Sequence, residues 1–202
     1  GVLTSQGEGI SIHDLAIESY SVALGRIESL RTIGGPELTA DERELLASRR
    51  FSGLCLFGRN IRDRFQLADY LAEVRQLAGP EFAVGIDQEG GGVLRLLDVP
   101  YPPPAMALGA ADDTGLTRSV AAAAARGLRS TGVNIDFAPV ADLNVNPLNP
   151  VIADRSFGAD PELVARHVSA FIEGLQSEGV AASAKHFPGH GDVAVDSHLA
   201  LP

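Results

Sequence analysis

Apolar positions along the chain fall into two regimes. Leu54-Cys55-Leu56-Phe57, Phe82-Ala83-Val84-Gly85-Ile86, Val133-Asn134-Ile135-Asp136-Phe137 and Val180-Ala181-Ala182-Ser183-Ala184 are short, nearly continuous apolar runs. They are too short for helices and read as buried strands. Between them the spacing is helical. Residues 11–31 carry Ile12, Leu15, Ile17, Val22, Leu24, Ile27 and Leu30 on helical intervals, ended by Gly34-Gly35-Pro36. Thr39 and Glu42 form a capping box that opens a helix to about Arg50. A helix is predicted from Ile61 to Leu77, with Phe65, Leu67, Ala68, Leu71, Val74 and Leu77 inward. The prolines within residues 100–104 exclude helix interior there. Thr114 to Arg129 is an alanine-rich helix, and Asp160-Pro161 opens another that ends near Gly179.

Helices alternating with apolar strands mean a parallel sheet covered on both faces. The polar positions then choose between an open sheet and a closed one. Arg59 and Asn60 follow the first strand, and Asp87, Gln88 and Glu89 follow the second. Asp136 ends the third, with Asp142, Asn144, Asn146 and Arg155 in its loop. Lys185 and His186 follow the fourth, then His190, Asp192, Asp196 and His198. Charged groups after several successive strands describe the active face of a barrel. An open sheet gathers its ligand groups at one switch point, usually with a glycine-rich phosphate loop. The run Gly90-Gly91-Gly92 fits neither the dinucleotide nor the Walker pattern. The expected fold class is therefore α/β, of the (β/α)8 TIM-barrel type. About 250 residues is usual for such a barrel, so the 202 residues are expected to hold an incomplete one, with sheet edges for the rest of the barrel or a partner chain to cover. Two regions are expected, an atypical helical segment over 1–35 and barrel over 36–202.

Composition narrows the function. Acidic residues outnumber basic ones 26 to 16, the net charge is −10, and there is no tryptophan. Such a surface repels phosphate backbones and anionic lipid, so neither nucleic acid nor membrane is an expected partner. The single cysteine, Cys55, excludes a disulfide framework. No signal-like segment opens the chain, which favours the cytoplasm.

Taken singly, each strand-end polar residue has a structural reading as a helix cap or turn, and Arg155 beside Asp154 reads as a surface ion pair. The stretch 185–198 is denser, with one lysine, three histidines and two aspartates in fourteen residues. Metal binding is one chemistry for it, but His186, His190 and His198 lack the one-turn spacing of a zinc helix. The other is proton transfer. In extended chain, Asp196 and His198 point the same way, and a carboxylate beside an imidazole orients it as a general acid/base. Acid/base work is preferred, with no metal and no cofactor expected.

With these residues in view, the chain resembles family 3 glycoside hydrolases, in the bacterial β-N-acetylglucosaminidase branch. The resemblance rests on residues 53–61 (GLCLFGRNI), 85–96 (GIDQEGGGVLRL), 134–158 and 185–202 (KHFPGHGDVAVDSHLALP). It implies a (β/α)8-type barrel and retaining cleavage of terminal β-linked N-acetylglucosamine, as in muropeptides or chitin oligosaccharides. By the family's pattern His198 is the acid/base and Asp196 its partner, while Asp87, Arg95, Arg155, Lys185 and His186 hold the sugar hydroxyls. His190 and Asp192 match motif positions as well, with loop shaping as the alternative role. Gly92 stands where relatives commonly carry arginine, and no aspartate here matches the family's nucleophile. The expectation is therefore an N-terminal part of a longer glycosidase, inactive alone. A family 3 β-glucosidase, and a carbohydrate-binding fragment or pseudoenzyme, are the alternatives.

Overall fold

A computed structural model of the chain describes residues 30–49 and 51–195. Five parallel strands form one sheet in the order β1 (Leu30–Arg31), β2 (Gly53–Leu56), β3 (Ala83–Ile86), β4 (Ile135–Asp136) and β5 (Ala181–Ala182). Strand order follows chain order without a reversal. A doubly wound sheet would turn back at a switch point, whereas consecutive parallel neighbours are the arrangement of a (β/α) barrel. The helices are α1 (Ala40–Ala47), α2 (Arg64–Ala78), α3 (Ala105–Ala111), α4 (Thr114–Thr131) and α5 (Pro161–Ser177). Among the described residues, no helix is long and apolar enough to cross a membrane.

The helix starts follow their chemistry. Thr39 Oγ1 accepts the Glu42 N–H, and the Glu42 carboxylate accepts the Thr39 N–H, so the capping box forms as expected. Asp63, Asp113 and Asp160 cap α2, α4 and α5 through their side chains, and Pro161 occupies the first turn of α5. Asp63 at the cap moves the start of α2 from the expected Ile61 to Arg64.

Side chains alternate across the sheet, and both faces are buried. Leu54, Leu56, Val84 and Ile86 join the core under the helices. Cys55, Ala83, Ile135 and Phe137 form a second cluster on the opposite, inner face. Gly85 lies in that inner row, where a Cβ would collide with the Phe137 ring, reaching Cε2 at 2.8 Å. A missing side chain on β3 thus makes room for the aromatic that fills the inside. The same close approach governs α4 against α5. A Cβ on Gly174 would meet the Arg118 carbonyl oxygen, and Ala121 Cβ at 2.7 Å. Gly174→Val is expected to cost about 1–3 kcal/mol by overpacking, measurable by urea unfolding with an unchanged m-value.

Three expectations are corrected. The helix read over 11–31 cannot extend through Leu30–Arg31, because those residues pair in parallel with β2 as β1. The rest of that reading, 11–29, lies outside the described residues, and β1 falls before the boundary expected at residue 36. Phe65 was expected inward but is 68% exposed, with the Arg64 guanidinium 4.7 Å over its ring; Tyr70 takes the inner place instead. Helix α3 was not expected at all, since three prolines precede it and only seven residues compose it.

Candidate functional site

The side chains that follow β3, β4 and β5 converge at the C-terminal ends of the strands. Lys185 Nζ lies 2.7 Å from Asp87 Oδ1 and 2.5 Å from Glu89 Oε1. Arg155 forks onto Glu89, with Nε 2.8 Å from Oε2 and Nη2 2.9 Å from Oε1, while Nη1 donates to the Val151 carbonyl at 3.1 Å. Arg95 reaches Asp87 Oδ2 only at 3.4 Å, and its buried Nε has no hydrogen-bond partner among the described residues. Two carboxylates thus hold three cations, two tightly and one loosely.

Burial and charge oppose each other throughout this cluster. Burial pushes the Glu89 carboxyl up, but Lys185 and Arg155 outweigh it and hold Glu89 below the usual carboxylate range. Burial pushes the Lys185 ammonium down, and Glu89 with Asp87 more than reverse it, so the amine stays firmly charged. Cys55, beneath this cluster in the inner row, has its thiol pushed up to about 12 by burial and by the Asp87 charge. A thiol of that kind is no nucleophile.

A second knot sits beside the first. Asp142 is buried, and its Oδ2 accepts from His186 Nδ1 at 2.6 Å and from the His186 backbone N–H at 3.1 Å. Its Oδ1 accepts the His190 N–H at 2.6 Å. A carboxylate on Nδ1 fixes the ring so that Nε2 is the nitrogen left to face a ligand. Burial raises the Asp142 carboxyl, and the His186 hydrogen bond and charge overturn that and leave it lowered. Asn149 Nδ2 and Asn146 Nδ2 donate to the carbonyls of His190 and Asp192, tying the two loops together. Asp142→Ala would strip three donors of their acceptor, and at about 1–3 kcal/mol for a buried donor left unpaired a loss of about 2–3 kcal/mol is expected. Amide hydrogen exchange over 186–191 should accelerate in the same variant.

Five of the seven residues singled out from sequence are placed by the structure. Asp87, Arg95, Arg155 and Lys185 share one cluster, and His186 is held in the Asp142 knot. Asp196 and His198 lie outside the described residues. Arg155 is no surface ion pair with Asp154, since its side chain is largely buried against Glu89. Glu89 and Asp142 belong to these clusters as well, although the sequence marks them only as strand-end polar residues. Glu89 had a signal, its position two residues beyond Asp87 in the same strand-end loop. Asp142 had only its place in the loop after β4, and its partner was not readable, because the imidazole it orients is 44 residues away.

The fold and the sequence have parallels among known proteins. Residues 22–202 match the family described as Glycosyl hydrolase family 3 N terminal domain. A beta-hexosaminidase of Methylococcus capsulatus is 42% identical over 172 residues, covering 83% of this chain and 51% of that protein. A glycoside hydrolase family 3 beta-N-acetylglucosaminidase from Paenibacillus superposes with a TM-score of 0.79 at 42% identity, over 83% of this chain and 33% of that one. NagZ from Neisseria gonorrhoeae superposes with a TM-score of 0.80 at 36% identity, over 86% of this chain and 52% of that one. The chain spans about half the length of the curated relatives it matches. Sheet order, strand-end chemistry and sequence agree, and the chain belongs to glycosyl hydrolase family 3, within whose N-terminal domain its matched residues fall.

Proposed function

We propose that these residues form the terminal-sugar site of a retaining β-N-acetylhexosaminidase that acts on β-linked N-acetylglucosamine, in muropeptides or chitin oligosaccharides. The observation that carries the reading is the pairing of Asp87 and Glu89 with Lys185 and Arg155, beside an under-satisfied Arg95. Sugar hydroxyls are neutral donors and acceptors, and charge-assisted hydrogen bonds to them need pre-organised ions of both signs. Lys185 has three N–H groups and spends two on Asp87 and Glu89, which leaves one for a hydroxyl. The similarity to proteins named beta-hexosaminidase, and to a NagZ solved with N-trifluoroacetyl-D-glucosamine, supports the choice of sugar.

In this reading Asp196 and His198 supply proton transfer, as acid toward the leaving oxygen and base toward water. The nucleophile of the double displacement comes from outside the 202 residues, and the edges of β1 and β5 take the remaining strands of the barrel. No cofactor enters. Cytoplasmic residence goes with the reading, supported by an unpaired, buried Cys55.

Calorimetry with N-acetylglucosamine tests the site. Binding near a Kd of about 1 mM, typical for about −4 kcal/mol, is expected for the 202-residue chain. Lys185→Met should weaken it about ten-fold, the worth of a hydrogen bond to a charged group. Turnover of an aryl β-N-acetylglucosaminide by this chain should be absent. Equal heats for the two proteins, or no heat from either, would refute the sugar site.

A further inference from the structure

Asp136 ends β4 in the row that faces the helices, with Ile86 and Ala182 as its register partners on either side. Its side chain is fully buried. A carboxylate in an apolar layer is costly unless it is hydrogen-bonded or neutral. Oδ1 accepts the Gln88 backbone N–H at 3.0 Å, while Oδ2 has no partner among the described residues. Gln88 is itself a clamp. Its Nε2 donates to the Leu96 carbonyl at 2.6 Å, and its Oε1 accepts the N–H groups of Arg95 and Leu96 at 3.0 and 3.1 Å. One hydrogen bond from β4 therefore fixes a residue that lies between Asp87 and Glu89 and grips the backbone carrying Arg95.

We propose that Asp136 is a positioning residue of the sugar site, which holds Asp87, Glu89 and Arg95 in place through the Gln88 N–H. The proposal rests on the sugar-binding reading above. A purely packing role would be served better by an isoleucine or alanine, as at the register partners Ile86 and Ala182. Three charged groups bear on the carboxyl: Lys185 from beyond β5, and Asp87 and Glu89 from beyond β3. Burial raises it first of all. The Gln88 N–H and Lys185 oppose that rise, Asp87 and Glu89 add to it, and the result is a carboxyl that titrates at about 7.

Two variants separate the roles. Asp136→Asn keeps an acceptor for Gln88 and cannot ionise, whereas Asp136→Ala removes the acceptor. Nitrogen-15 spectra of the 202-residue chain between pH 5.5 and 8.5 should show the Gln88 amide moving with a midpoint near 7, and standing still in Asp136→Asn. Calorimetry with N-acetylglucosamine at pH 6 should find Asp136→Asn within about two-fold of the parent and Asp136→Ala weakened about five-fold, the worth of one net hydrogen bond. A Gln88 amide that ignores pH in the parent, or undiminished binding by Asp136→Ala, overturns the proposal. Should the parent bind no sugar, the reading of the site fails instead, and the Gln88 titration still decides Asp136. If Asp136→Ala does not fold, parent and Asp136→Asn decide by titration alone.

Discussion

Glu89→Gln is expected to destabilise the chain by about 3–5 kcal/mol, the usual cost of leaving a buried ion without its partner. Glu89 is the hub of the first cluster, since it touches both Lys185 and Arg155. Glutamine keeps the volume and one acceptor but removes the charge, so Asp87 is left as the carboxylate facing Lys185, Arg155 and Arg95. All of these side chains are largely buried, with at most 26% of Arg95 exposed, so water screens the imbalance poorly. The exposed pairs Arg43–Glu73 and Arg62–Glu37 provide the contrast, and removing either should cost far less, since water screens them. A double-mutant cycle with Lys185→Met sharpens the test. If the penalty is the orphaned cation, removing that cation as well should recover a large part of it. Urea unfolding of the four proteins at pH 7 gives the answer; additive losses would mean that Glu89 acts through packing rather than charge.

Much of this arrangement is legible from local sequence, and the reason is physical. Strands buried on both faces must be apolar throughout, so Leu54-Cys55-Leu56 and Ala83-Val84-Gly85-Ile86 stand out without any partner being known. Caps are local too, since Thr39 and Glu42 satisfy each other within one turn. Strand β1 escapes notice because two residues carry no periodicity, and the helical spacing around them runs on unbroken. Phe65 misleads because its interval matches the inner face, yet it sits one residue after the helix begins, where the Arg64 side chain covers it. Site residues were legible as strand-end polar groups, but not what they do to each other. Arg155 looked toward Asp154, its neighbour in sequence, and found Glu89, 66 residues away. The Asp142–His186 pair has the same logic as the pair read at Asp196 and His198. It could not be seen, because no spacing rule joins loops that follow different strands.

Raising the pH from 5 to 8 should weaken the fold, and Asp136→Asn should remove most of that loss. The sign follows from the direction of the shift. The Asp136 carboxyl stands at about 7 in the fold against an ordinary 3.8, so the folded chain holds its proton more tightly than the unfolded one. Its contribution is complete below 3.8 and is lost as the pH rises through about 7. At about 1.4 kcal/mol per pH unit, that interval corresponds to about 4 kcal/mol. Glu89 and Asp142 run the other way. Their carboxyls are lowered in the fold, so their contribution is present at neutral pH and lost as the pH falls below the ordinary carboxylate range. The two opposing slopes put maximum stability well on the acid side of neutrality, near the ordinary carboxylate range, with a decline from there to about pH 7. Asp136→Asn should exceed the parent by a wider margin at pH 8 than at pH 5, because an amide carries no charge to desolvate. Urea unfolding of both proteins at pH 5 and pH 8 measures the difference directly. Parallel pH dependence in the two would assign the slope to other groups and leave Asp136 ionised throughout.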